Sequence, residues 1–206
     1  MNYFSNWDRF YQLKPQGGQW GNHESPPDDH VVKFLNFVTT PNLTVLDSGC
    51  ADGKNSVYLD SKGHTVYGID ISQTVIDRVL QNVQGHFSVQ DCKKTNFNDC
   101  MFDAIVDAGC LHVNEPLYHR DILQEYYRIL KPGGYLNIRF FNTNKSPTEP
   151  IFSVAGEELY MPVYGFTQPM ISSLLSGKFE QKYYTFNPTY GATGLGCHNY
   201  ILAKID

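Results

Sequence analysis

Apolar positions at Val31, Phe34, Leu35 and Val38 recur at i, i+3, i+4 and i+7, the spacing of a helix with one buried stripe. After Pro41-Asn42 the run Leu43-Thr44-Val45-Leu46 reads as a parallel strand covered on both faces. A helix over residues 54–62 follows, with Gly63 placed to end it. Thr65–Asp70 predicts a second strand. Ser72 then stands as N-cap to a helix whose inner face carries Val75, Ile76, Val79, Leu80 and Val83. Third and fourth strands are predicted around Phe87–Val89 and Phe102–Val106, each running out at an aspartate. The next helix, with Ile122, Leu123, Tyr126, Tyr127, Ile129 and Leu130, stops at Lys131-Pro132-Gly133-Gly134, where proline and glycine forbid continuation. A fifth strand, Tyr135–Phe141, follows. Strands alternating with helices predict a mostly parallel sheet covered on both faces, with ligands beyond the carboxyl ends of its strands.

The two ends of the chain break this rhythm. Residues 1–30 hold both tryptophans together with Gly17-Gly18, Gly21 and Pro26-Pro27, and read as a cap over the sheet. The last third offers a short helix near Gln168–Leu175 and two strands, Phe179–Phe186 and His198–Ile205, an antiparallel hairpin. The pattern is that of one domain over 1–206, with a cap (1–40), a ligand-binding core (41–143) and a pocket- and sheet-completing region (144–206).

Composition narrows the partners. A formal net charge of -5 with 18% charged residues disfavours nucleic acid, whose phosphates call for a basic surface. The five cysteines include no C-x-x-C pair, so neither a disulfide framework nor a structural metal is expected. With no leader-like start and no long apolar run, a cytoplasmic protein that does not enter the membrane is expected. The oligomeric state has no signature here.

The densest chemistry lies at Val45-Leu46-Asp47-Ser48-Gly49-Cys50-Ala51-Asp52-Gly53, a D-x-G-x-x-x-G pattern. A dinucleotide fingerprint is G-x-G-x-x-G, and an acid before the first glycine opposes a pyrophosphate. Asp47 instead suits a ligand bearing an ammonium group, with Gly49, Cys50 and Gly53 passing their backbone beneath it and Lys54 placed for a carboxylate. Asp70, 17 residues after Gly53, ends the second strand where an acid accepts ribose hydroxyls, with Ile71 beside it. In Gln90-Asp91-Cys92 the acid can accept from an adenine amino group. Asp107 closes the fourth strand as a second candidate for the ammonium.

At these residues the chain resembles class I S-adenosylmethionine-dependent methyltransferases, from about Trp7 to Phe141. Within them it is similar to the thiopurine, thiol or halide, and tellurite-resistance type of small-molecule methyltransferase. The likeness rests on three stretches: the cap with Trp7-Asp8, Tyr11, Trp20, Pro27 and Phe34-Leu35; Leu46–Leu59; and Phe102–His112 with Leu130–Gly134 downstream. It departs at Cys50-Ala51, where a glycine is usual, and at Ala108, where a basic residue is common.

The resemblance implies an α/β fold, a doubly wound, mostly parallel seven-stranded sheet with an antiparallel C-terminal hairpin. It also implies S-adenosylmethionine as cofactor, S-adenosylhomocysteine as product and a small-molecule acceptor with a sulfur, oxygen or nitrogen nucleophile. Trp7, Tyr11 and Trp20 are candidates for an aromatic cage around the sulfonium. His112, just past the fourth strand, is the candidate general base, ahead of His23, His30, His119 and His198. His23 and Arg139 are candidates for the acceptor. A protein or RNA acceptor, or binding without catalysis, is the alternative reading.

Overall fold

The computed structural model describes residues 3–14, 21–153, 159, 161–190 and 194–205. Two helices, α1 (Tyr3–Leu13) and α2 (Asp29–Phe37), precede the alternating core. The core runs β1 (Thr44–Ser48), α3 (Lys54–Ser61), β2 (Thr65–Asp70), α4 (Gln73–Asn82), β3 (His86–Val89), β4 (Phe102–Asp107), α5 (His119–Ile129) and β5 (Leu130–Phe141). A small antiparallel pair, β6 (Pro150–Ser153) and β7 (Pro162–Tyr164), then α6 (Gln168–Leu175), β8 (Phe179–Tyr190) and β9 (Leu195–Lys204) complete it.

The seven-stranded sheet has the order β3-β2-β1-β4-β5-β9-β8. Strands β1 to β5 are parallel, and β9 is antiparallel to both β5 and β8. The chain therefore reverses direction across the sheet between β1 and β4, the place where such folds bind ligands.

Alternation along the buried strands explains why both faces are covered. Val45, Val66, Ala104 and Val106 face α2 and α3, packing with Val31, Phe34 and Leu59. Leu46, Ile69, Ile105, Leu136 and Ile138 face the other way, onto Ile122, Leu123, Tyr126 and Ile129 of α5.

Several elements depart from the sequence reading. The N-terminal cap contains the helix α1, whose Trp7, Phe10 and Tyr11 pack on Val75 of α4. Strand β1 runs on to Ser48 and so includes Asp47. Helix α5 ends at Ile129, and β5 begins at once at Leu130, because Leu130 pairs with Phe102 before the ladder jumps to Ala104–Tyr135. Lys131–Gly134 thus form an irregularity within the strand, with Gly133 at φ +68°. Strand β8 runs to Tyr190, four residues past the predicted Phe186, and this carries Tyr190 to the ligand-binding end of the sheet. Among the described residues no helix is long and apolar enough to cross a membrane.

Candidate cofactor and acceptor cavity

A cavity of about 1100 Å³, its open mouth included, lies at the carboxyl ends of β1, β2, β3 and β4. Of the residues singled out from sequence, Trp7, Tyr11, Gly49, Cys50, Lys54, Asp70, Ile71, Asp91, Cys92 and His112 border it. Trp20 lies outside the described residues.

The cap is fastened to the core by polar bonds at its inner face. Asp8 accepts from the Ser72 hydroxyl (2.7 Å) and from the Thr74 amide (2.8 Å), both at the start of α4. Arg78 donates to the Tyr11 carbonyl and pairs with Asp52 at 3.0 Å. These contacts leave Trp7 and Tyr11 at 7% and 4% exposure in the cavity wall.

The turn after β1 needs its glycines for two different reasons. Gly49, at φ +69°, borders the cavity, and a Cβ there would stand 2.9 Å from that of Cys110. Gly53, at φ +85°, does not border it: a Cβ would meet Val79 at 2.7 Å, so this glycine lets α3 approach α4.

Four of the aspartates ending strands fare differently. Asp70 borders the cavity and accepts from the amides of Ala51 (3.2 Å) and Ser72 (3.0 Å). The Ile71 amide also bonds to this carboxylate, and these three do not fill the roughly four lone-pair sites of a carboxylate. Burial pushes its pKa up to about 6, short of neutralising it at pH 7. Asp91 is half-buried at the end of β3 and pairs with Lys93 at 3.2 Å.

Asp47 and Asp107 do not border the cavity, which corrects their assignment to the ammonium group. Asp47 turns beneath α3, where the Ser56 hydroxyl donates to it at 2.6 Å and burial pushes its pKa up to about 7. Asp107 turns beneath the other face. It accepts from the amides of Gly109, Cys110 and Leu111 and from the Tyr126 hydroxyl (2.9 Å), so its role is to hold the turn after β4.

Arg139 is likewise corrected as an acceptor contact. It is fully buried, outside the cavity lining, and its guanidinium is spent on Asp28 (3.1 Å), Asp29 and the Asn199 side chain (3.0 Å), with the Tyr190 ring 3.9 Å away. His23 is half-buried and does not line the cavity.

Asp28 was not foreseen. It accepts from Arg139, from Lys54 Nζ (3.0 Å), from Asn55 Nδ2 (3.1 Å) and from the Tyr190 hydroxyl (2.7 Å), joining the cap to α3, β5 and β8. Burial opposes its charge, yet Arg139 and Lys54 hold the carboxyl well below the usual carboxylate range. The one signal in the sequence is Arg139 in an apolar strand, which demands an acid but does not say which.

At the β4 and β5 ends the cavity is walled by His112, Val113, Phe141 and Tyr190. His112 is 1% exposed, its ring 4.4 Å from that of Phe141. Burial, with Arg139's charge beside it, lowers its pKa to about 3. That corrects its role as general base, which is best served near the operating pH.

A methyltransferase-domain family profile matches residues 45–134, the span that builds this crevice. An uncharacterized methyltransferase of Schizosaccharomyces pombe is 36% identical over 120 residues, covering 54% of this chain and 83% of the relative. An uncharacterized methyltransferase of Synechocystis is 33% identical over 51% of the chain; the chain spans 50% of that relative's length. The tRNA 5-carboxymethoxyuridine methyltransferase of Escherichia coli is 29% identical over 50% of the chain and is spanned over 41% of its own length. Among solved structures, a SAM-dependent methyltransferase from Methanosarcina mazei is 26% identical, with a TM-score of 0.72, covering 84% of this chain and 97% of that one. The fold and these matches define the class, an α/β methyltransferase domain. The chain belongs to the S-adenosylmethionine-dependent methyltransferase family, and S-adenosylmethionine is its cofactor.

Proposed function

We propose that the chain transfers the methyl group of S-adenosylmethionine to a small molecule bound in the same cavity. The observation that carries this reading is the continuity of that cavity, with Asp70's unfilled lone-pair capacity at one end and a wall of His112, Val113, Phe141 and Tyr190 at the other. When bound, the cofactor supplies an electrophilic methyl on a sulfonium. Asp70 takes the ribose hydroxyls, Gln90–Cys92 border the adenine, and the backbone at Gly49 passes beneath the amino-acid part. Lys54, held by Asp28, meets the carboxylate. Trp7 and Tyr11 shut out water and offer ring faces to the positive sulfur. Alignment of the acceptor supplies most of the acceleration, on the order of 7–11 kcal/mol at best, so no dedicated base is required.

The cap helix with Trp7 and Tyr11 supports placing the chain with the thiopurine, thiol or halide, and tellurite-resistance type. The test begins with calorimetric titration of S-adenosylhomocysteine beside NAD. Labelled methyl transfer to a panel of small thiols, phenols and heteroaromatic amines is then compared with transfer to bulk tRNA. Saturable binding of S-adenosylhomocysteine alone, with transfer to the panel, supports the reading. Transfer to tRNA only replaces it with the activity class of the Escherichia coli relative, and binding without transfer to anything leaves a binding protein.

A further inference from the structure

Ser72, fully buried at the start of α4, stands between the ribose acid and the cap. Its amide donates to Asp70 Oδ1 at 3.0 Å. Its hydroxyl donates to Asp8 Oδ1 of α1 at 2.7 Å and accepts from the Val75 amide as the N-cap of α4. The Thr74 amide donates to the same Asp8 oxygen at 2.8 Å. Asp8 thus meets the first turn of α4 from another helix, where unpaired amides and the helix dipole favour a negative charge. Burial opposes that charge, yet the Thr74 amide and the Ser72 hydroxyl hold the carboxyl below its ordinary pKa.

Successive side chains on a helix stand about 100° apart, so fixing Asp8 fixes the rotation of α1 and with it the direction of Trp7, which borders the cavity. One turn on, Arg78 donates to the Tyr11 carbonyl at 3.3 Å and pairs with Asp52 of the cavity wall at 3.0 Å. Trp7 and Tyr11 therefore wall the cavity only while α1 is docked on α4. A ligand that touches them is held more tightly by the docked cap, and by linkage it holds the cap down to the same extent.

We infer that Asp8 is a positioning residue for the cofactor: bonded through Ser72 to the strand end that carries Asp70, it latches α1, with Trp7 and Tyr11, over the bound nucleoside. This rests on the proposed placement of the ribose at Asp70. Asp8 itself lies outside the cavity lining, so it acts through these neighbours and sets how long the cofactor stays.

The test uses S-adenosylhomocysteine as the probe. Amide hydrogen exchange along α1 and the affinity and dissociation rate of the probe are measured where urea curves show each protein fully folded. Saturating wild type with the probe should slow exchange across Tyr3–Leu13 by roughly 5- to 150-fold, the span of ordinary coupling between sites. Asp8→Ala should abolish that slowing and weaken the probe by a factor in the same range, through faster dissociation. Asp8→Asn keeps an oxygen for the Ser72 hydroxyl and the Thr74 amide, and should recover most of both, which a general loss of stability would not produce. Ser72→Ala should weaken the probe by less, since the Thr74 amide still holds Asp8, and should change the Asp8→Ala protein by no more than about twofold. Exchange in wild-type α1 that ignores the probe overturns the inference and needs no variant to fold. So does Asp8→Ala binding within about twofold of wild type, Asp8→Asn as weak as Asp8→Ala, or Asp8 and Ser72 effects that multiply. Unchanged affinity in Asp70→Ala instead strikes the ribose placement underneath, and the inference with it.

Discussion

The two ends of the cavity are built by different means. The nucleoside end comes from one βαβ stretch: Gly49, Ala51, Asp70 and Ser72 lie within 24 residues, and Asp70 takes its protein hydrogen bonds from backbone amides. The acceptor end is assembled from far apart, with Asp28 reaching Arg139 across 111 positions and Tyr190 across 162. Backbone amides at a strand end are in place once the sheet forms. Side-chain networks of long reach exist only when cap, β5 and β8 have all docked. The first arrangement tolerates change in the rest of the chain, and the second makes the acceptor wall depend on the whole fold.

The sharpest way to break that contrast is Arg139→Met. It removes the cation of a fully buried network and leaves Asp28 with only Lys54 as counter-charge. Breaking such a buried pair costs about 3–5 kcal/mol, read as a shift in the urea midpoint. The double variant Asp28→Asn/Arg139→Met should regain part of it, since no buried carboxylate is then stranded. A loss below about 1 kcal/mol in the single variant would mean the network behaves as a surface pair, and the contrast would collapse.

Asp70→Ala strikes the nucleoside end. Its hydrogen bonds are to a charged acceptor, worth about 1.5–3 kcal/mol, so affinity for S-adenosylhomocysteine should fall roughly 10- to 100-fold. Asp70 also holds the Ala51 and Ser72 amides, so the variant loses stability as well, and the titration is run where its urea curve shows it fully folded. Unchanged affinity would remove Asp70 from the ribose site.

This difference also decides what could be seen in advance. The strand-turn-helix at 44–61 and its partner at 65–82 were legible because apolar periodicity and capping residues act locally. Helix α1 carries the i, i+3, i+4 spacing of Trp7, Phe10 and Tyr11, but among the glycines and prolines of residues 1–30 the cap was given no helix. An acid at a strand end has a position in the sequence and no direction. Asp47 turns under one face of the sheet with Val45, Asp107 under the other, while Asp70 and Asp91 border the cavity. The acceptor wall had no local signature, since Phe141 and Tyr190 read as ordinary strand aromatics until β8 is seen to run that far.

The smallest expected effect tests the acid that was misassigned. Asp47 folds with its pKa raised by burial to about 7, above the ordinary carboxylate value of 3.8. The folded state then binds the extra proton, so Asp47's contribution to stability is complete below the unfolded pKa and is lost as pH rises through 7. Between pH 6 and 7 the unfolded acid is already ionised while the folded one is giving up its proton, a change of about 1 kcal/mol. Asp47→Asn keeps an oxygen for the Ser56 hydroxyl and cannot ionise. Urea denaturation at both pH values should therefore show wild type losing about 1 kcal/mol relative to the variant on going from 6 to 7. Asp70, Asp107 and the buried histidines are present in both proteins, so their titrations largely cancel in the difference. A difference that does not change with pH would mean Asp47 is ionised in the fold throughout, and would reopen it as a partner for a bound ammonium group.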